Sequence, residues 1–328
     1  MSFYLTSDIT IGDYKNIKPN KVVWKTDVGS FTDSCTITLP RITHMINENS
    51  DKTLDLEGRK IYQFKEGDKV TVLLGYNKKN EKRFVGFVRR VKMGIPVELE
   101  CEGYSSQLYD VIFNKTYPTV TVKQLLKDLT VGTDIKLSEE IPAIPLKNLR
   151  FKNATGIQVL EYLKKEINLA VYFNFDELFI GTTFGKVQKR IKVKIGWNTV
   201  KDDDFQKRKV EKNIKIVVRE KNAKGEVKRT KSDVQKYDNE KDVKIKADIP
   251  ANFLKEIVNR LQTQEDYRGY EGSLQLFLVP YALKGMVVEL NGGMYPEKTG
   301  DYFIQSVNGE FGTGGGRQTI QLGFIMNK

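Results

Sequence analysis

The sequence predicts an α+β protein that is mostly β: two similar antiparallel β-barrel domains, residues 1–112 and 185–328, with a small α/β domain, 113–184, between them. Three observations carry this. A three-strand pattern occurs twice, once near residue 67 and again near residue 285. Helical spacing of apolar residues dominates only between and just before those copies. And 328 residues with 39% hydrophobic and 10% aromatic content can fill two or three cores.

The first copy runs from the turn at Gly67 through Lys69–Leu73, an aromatic-led strand Phe84–Val91 containing Gly86, and the alternating strand Val97–Cys101. The second runs from Gly285 through Val287–Leu290, Tyr302–Val307 and Gln318–Leu322, with Gly314 and Gly315 in the link before the last strand. The intervals Gly67–Phe84 and Gly285–Tyr302 have the same length, 17 positions. Three strands in one order with one interval repeated indicate a duplicated β-unit.

Taken in order, Val22–Val28 and Asp33–Pro40 read as strands joined by the Gly29-Ser30 turn, and Asn47–Asp55 as a polar surface loop. With the first copy they make a barrel or sandwich of about six strands. Thr121 is placed to cap a helix bearing Val122, Leu125, Leu126 and Leu129. Thr155 with Gln158 fits a capping box ahead of Ile157, Leu160, Leu163 and Ile167, and Asn168 ends that helix. A hairpin follows, Leu169–Phe173 and Glu177–Gly181, turning at Asn174-Phe175-Asp176. Beyond 185, strands resume at Asn213–Val218 and Gly225–Thr230. Residues 219–246 read as a charged loop, mobile and least patterned at 231–242. A helix at 251–266 carries Leu254, Ile257, Val258 and Leu261 on one face, and the long strand Gly269–Pro280 leads into the second copy.

The formal net charge is +12. Lysines alternating with apolar residues, as in Lys186–Lys194, read as one wet face of a strand. Cys35 and Cys101 each sit in an alternating strand, the setting of a buried free thiol. The start, Met1–Asp8, has no charged run followed by an apolar one, and no stretch reaches eighteen apolar residues, so neither a signal peptide nor membrane insertion is expected.

Catalytic chemistry fails on composition. With His44 the only histidine, no His-based triad or His/Cys zinc site can be assembled, and His44 itself reads as structural. The run Gly312–Gly316 is followed by Arg317 among strands, and Lys298-Thr299 lacks the preceding glycine of a P-loop, so neither cradles phosphate. The carboxylate groups Glu139-Glu140 and Asp202-Asp203-Asp204 read as solvated acids in turns. The chain is expected not to be an enzyme and to need no cofactor, metal or small-molecule substrate.

Several stretches together resemble the baseplate hub family of contractile phage tails and related injection machines, which includes the late control protein D type and the N-terminal part of VgrG. They are Phe84-Val85-Gly86-Phe87-Val88 leading to Cys101–Tyr104, the Thr-capped helix at Thr121, and Tyr270-Glu271-Gly272 leading to Pro280 and Gly285. Gly300–Val307, with its Tyr302, and Gly314–Gly316 complete the match. The resemblance implies a homotrimer whose six barrels form a pseudo-six-fold ring, a symmetry adapter between a hexameric tail tube and a trimeric spike. It implies other baseplate proteins as further partners, and a place in the virion tail baseplate after assembly in the bacterial host cytoplasm. Since VgrG proteins continue into a needle and this chain stops at Lys328, the spike is expected to be a separate polypeptide. Two other readings stay open: nucleic-acid binding through Lys207, Arg208, Lys209 and Lys212, and a cell-wall-directed carbohydrate-active or carbohydrate-binding protein.

Overall fold

The computed structural model describes residues 4–40, 46–47, 64–184, 189–202, 204–210, 212–221, 227–247 and 249–324. His44 and most of the polar stretch Asn47–Asp55 lie outside them. Strands predominate, as expected, and no described helix is long and apolar enough to cross a membrane.

The first β-unit contains β1 (Leu5–Ile11), β2 (Lys21–Asp27), β3 (Ser34–Leu39), β4 (Lys69–Tyr76), β5 (Lys79–Lys92) and β6 (Val97–Glu102). Their inward positions alternate, so Ile9, Val22, Trp24, Ile37, Val70, Val72, Phe84 and Leu99 fill one core. Cys35 and Cys101 face each other across β3 and β6, buried and free.

The middle region contains β7 (Ile112–Thr121), α1 (Val122–Leu129), β8 (Pro145–Thr155), α2 (Gly156–Glu161), β9 (Ala170–Asn174) and β10 (Glu177–Gly181). Thr121 Oγ1 accepts from Gln124 N–H to start α1, and the Thr155–Gln158 capping box starts α2. Asn168, with φ +63°, ends the helical turn that follows. The hairpin β9–β10 turns at Phe175, also left-handed.

The last region contains β11 (Arg190–Lys194), β12 (Thr199–Lys201), β13 (Gln206–Lys207), β14 (Ile214–Lys221), β15 (Val227–Lys231), β16 (Asn239–Ile245), α3 (Ala251–Asp266), β17 (Tyr270–Phe277), β18 (Val287–Asn291), β19 (Gly300–Gly312) and β20 (Gly315–Leu322).

Two sequence expectations are corrected here. The charged loop expected at 219–246 carries strands among its described residues: β14 pairs β15 antiparallel and β16 parallel in a three-stranded sheet. Its inner face buries Ile216, Val218 and Ile245, and most of its exposed side chains are charged, which disguises it as loop. Nor does the core divide at 184/185. Ile216, Val218, Ile245, Leu254, Ile257 and Val258 join the buried cluster of the middle region, with Leu125, Leu146, Leu160 and Leu163. Arg260 of α3 seals that packing by donating to the carbonyl of Asn168.

The two β-units share their strand order. In the first it is β2-β3-β6-β5-β4-β1, and in the second β12/β13-β17-β20-β19-β18-β11. Each opens on a left-handed glycine, Gly67 at φ +89° and Gly285 at +85°. Gly67 N–H donates to Val88 O (2.8 Å) while Val88 N–H donates to Asp68 O (2.9 Å). Gly285 N–H donates to Ile304 O and Ile304 N–H to Met286 O, both 2.9 Å. One residue further each long strand carries a bulge, at Arg89 between Val88 and Arg90, and at Gln305 between Ile304 and Ser306. The copies differ at one edge: β1 runs antiparallel to β4, whereas β11 runs parallel to β18.

These shared features correct the alignment of the copies. Val88 matches Ile304 and Gly86 matches Tyr302, so Phe84 and Tyr302 stand two residues out of step. The first hairpin turns tightly at Asn77-Lys78, both left-handed, whereas the second has a shorter β18 and a longer loop at 292–299. A shift of two keeps a side chain on the same sheet face, and Phe84 and Tyr302 are both buried.

Candidate assembly site

The units meet edge to edge. The second half of β19 pairs β2 antiparallel, from Ser306↔Asp27 to Gly312↔Lys21, so one sheet runs through both. Trp24 stands opposite Gly309, where a Cβ would come within 1.9 Å of the indole. Glycine in this strand interior therefore makes the slot for the tryptophan. Thr26 Oγ1 donates to Val307 O (3.1 Å), and Lys21 pairs with Glu310 at 3.0 Å on the rim.

Two buried charges fasten the junction. Arg83 is the extra residue of a bulge in β5, where the register slips between Val72 and Leu73. Its Nη1 donates to Gln318 Oε1 (3.0 Å) and its Nη2 to Leu278 O (2.6 Å), with the Tyr281 ring 4.8 Å away. Gln318 in turn donates to Phe277 O and Pro280 O. Burial pushes the Arg83 guanidinium down to about 10. Lys284, beside Gly285, bridges to Asp33 and donates to Asp27 O (3.3 Å). Burial raises the Asp33 carboxyl above its usual range although the Lys284 ammonium opposes it.

Arg83→Met keeps the volume but strands Gln318 Oε1 and Leu278 O without a donor. We expect it to lower the unfolding free energy by about 1–3 kcal/mol, read by urea unfolding of the isolated chain. A variant as stable as the parent would show that Arg83 fastens nothing.

The residues singled out from the sequence fall into separate groups. Tyr270 and Tyr302 pack around Phe205, with ring centroids 5.6 and 5.2 Å from it. Gly272, at φ +126°, lets the Asp204 carbonyl pass where a Cβ would stand 1.9 Å from it, and Glu271 lies 3.9 Å from Arg208. Gly86 gives room to Glu102 O and the Phe84 ring, and Pro280 accepts from Gln318. Gly314 faces open space, and Gly315 is left-handed at φ +107° in the tip of the β19–β20 hairpin. The residues that tie the units together (Trp24, Gly309, Arg83, Gln318, Asp33 and Lys284) were not singled out. Only Gly309, inside an alternating strand, left a signal in the sequence.

Among the acids and bases of the alternative readings, Asp202 pairs with Lys298 (3.0 Å), Asp204 with Ser273 (3.1 Å), and Arg208 lies 3.9 Å from Glu271. No group of three His, Cys, Asp or Glu among the described residues is arranged to hold a metal ion. A cleft of about 360 Å³ between β10 and the start of β18 is lined by Lys82, Glu140, Glu177, Lys189 and Lys284.

No family model and no curated protein matches the chain. Solved structures do. The 43 kDa tail protein of prophage MuSo2 from Shewanella oneidensis is 12% identical, with a TM-score of 0.66 over 98% of each chain. The tail protein from Neisseria meningitidis MC58 is 12% identical, with a TM-score of 0.66 over 97% of this chain and 96% of that one. The Escherichia coli c3393 protein, a component of the type VI secretion system, is 10% identical, with a TM-score of 0.57 over 97% of this chain and 77% of that one. The chain thus has the fold of tail and secretion-system components, and the expected resemblance holds at the level of fold.

Proposed function

We propose that this protein is the structural baseplate hub of a phage tail or phage-like contractile injection machine. Each chain supplies two barrel-like units, 1–112 and the strands β11–β13 with β17–β20, and three chains make a pseudo-six-fold ring. One face of the ring meets a hexameric tail tube and the other a trimeric spike made by a separate protein, with other baseplate proteins around it. Assembly takes place in the bacterial host cytoplasm, and the mature location is the virion tail baseplate. The chain performs no catalysis in this role.

One observation carries the reading. The same strand order, with the same left-handed glycine and the same bulge, occurs twice and is joined head to tail rather than about a two-fold axis. A head-to-tail contact between like units closes into a ring when the rotation permits it. Two copies per chain let a three-fold assembly present six near-equivalent surfaces.

The test is solution mass together with electron microscopy of the purified chain, alone and with its tube and spike proteins. We expect a particle of three times the 37.6 kDa chain mass, seen end-on as a six-lobed ring with a central channel. A strict monomer in the presence of both proteins would overturn the proposal.

A further inference from the structure

The junction between the two units within a chain uses one edge of each, which leaves a matching pair of edges unused. On the first unit it is the edge of β5 past Val88, where pairing with β4 stops at Phe87↔Lys69. On the second it is the outer edge of the segment holding β12 and β13, which pairs β17 on its inner side. Among the described residues no strand is assigned to either outer edge.

Matching the copies assigns these edges residue by residue. Val91 and Met93 take the places of Val307 and Gly309. Phe205 and Lys207 take the places of Trp24 and Thr26, because Gly272 and Cys35 pair the matching residues Leu322 and Cys101. Val307 and Phe311 are 1% and 6% exposed beneath β2. In the first unit, Met93 and Ile95 are 71% and 76% exposed. On the opposite edge Lys207 is exposed, and Phe205 is 2% exposed, as its counterpart Trp24 is at 1%. The apolar Met93 thus stands open at the position matching Gly309, which the junction inside the chain buries.

We infer that neighbouring copies of this chain join through the β5 edge of one, continued to Met93, and the 204–207 edge of the next, in the register β19 uses with β2. This rests on the ring reading above. Val91 then faces Lys207, as Val307 faces Thr26, and Met93 faces Phe205, as Gly309 faces Trp24. The exchange conserves bulk: the smallest residue stands opposite tryptophan at one junction, and methionine stands opposite the smaller phenylalanine at the other. Three of the basic residues on these edges have a carboxylate beside them. Lys92 pairs with Glu98 at 2.8 Å, Arg90 lies 3.9 Å from Glu100, and Arg208 is held by Glu271. The two edges differ, so two chains cannot satisfy both about a two-fold axis, and a ring leaves none open.

Cysteine pairs test the register. Cα atoms directly opposite in an antiparallel ladder lie within disulfide reach. The Val91→Cys, Lys207→Cys double variant is expected to give covalent dimers and trimers on mild oxidation. Val91→Cys with Lys209→Cys, two residues out of register, is expected to give about tenfold less. Met93→Asp, at an exposed position, is expected to keep the parent's circular dichroism and to raise the concentration for half-assembly at least about tenfold. A trimeric parent whose Met93→Asp variant stays trimeric, with no cross-link from the in-register pair, would overturn this junction and leave the ring standing. A parent that stays monomeric with tube and spike present would remove both.

Discussion

A Lys284→Met variant is expected to lose about 3–5 kcal/mol of unfolding free energy at neutral pH, because it leaves the Asp33 carboxylate buried without its cation. The two side chains are 3% and 8% exposed, so water cannot replace the lost partner. The sign of the pH dependence follows from Asp33. Its folded pKa already lies above the ordinary 3.8, burial being the largest cause, and removing the ammonium pushes it higher. A carboxyl raised on folding favours the native state fully below its unfolded pKa, and that contribution is lost as pH rises through the folded value. The variant should therefore melt higher at pH 5 than at pH 8. Asp33→Asn combined with Lys284→Met removes both charges and should recover most of the loss with a flatter pH profile. Thermal unfolding followed by circular dichroism at the two pH values decides it. An equal loss at both would mean that Asp33 stays ionised throughout and that the burial argument fails.

What the sequence revealed and what it hid divide along physical lines. Local signals were legible: the Thr121 cap, the Thr155–Gln158 box, left-handed Asn168 and the apolar stripe of α3 are all set by neighbours a few residues apart. The duplicated unit was legible because a strand meander is also local, although its register was misread by two where hairpin lengths compensate. The sheet at 214–245 was not. Only β14 is well buried, and β16, Asn239–Ile245, buries Ile245 fully and Val243 in part. Such a strand is held by its parallel pairing to β14 and by the Arg219–Asp242 bridge, neither of which leaves a period in the sequence. The residues that fasten the units were hidden for the same reason. A lysine, an arginine and an aspartate read as surface charge until strands far apart in the chain enclose them. Arg83 points inward only because a bulge turns it there.

Gly309→Leu is expected to cost about 3–5 kcal/mol, the range for losing a buried tryptophan's packing, because the new side chain and the Trp24 ring cannot share one slot. Trp24 is 1% exposed and Trp197 is 80% exposed, so a red shift of the buried fraction of tryptophan emission reports Trp24 leaving its site. Leucine has two ways out: it expels the indole, or it opens the ladder between β19 and β2. Either weakens the seam that makes one sheet of two units, so assembly should fall along with stability. The compensating variant separates local crowding from a general intolerance of β19. Gly309→Met with Trp24→Phe installs the pair that the inferred junction between chains uses, Met93 opposite Phe205. The double variant should recover more than half of the loss measured for Gly309→Met alone, a favourable coupling well above the ~0.5 kcal/mol seen for independent sites. Simple addition of the two single losses would show that bulk at these positions is not exchanged across the seam. The resemblance between the two junctions would then stop at the backbone.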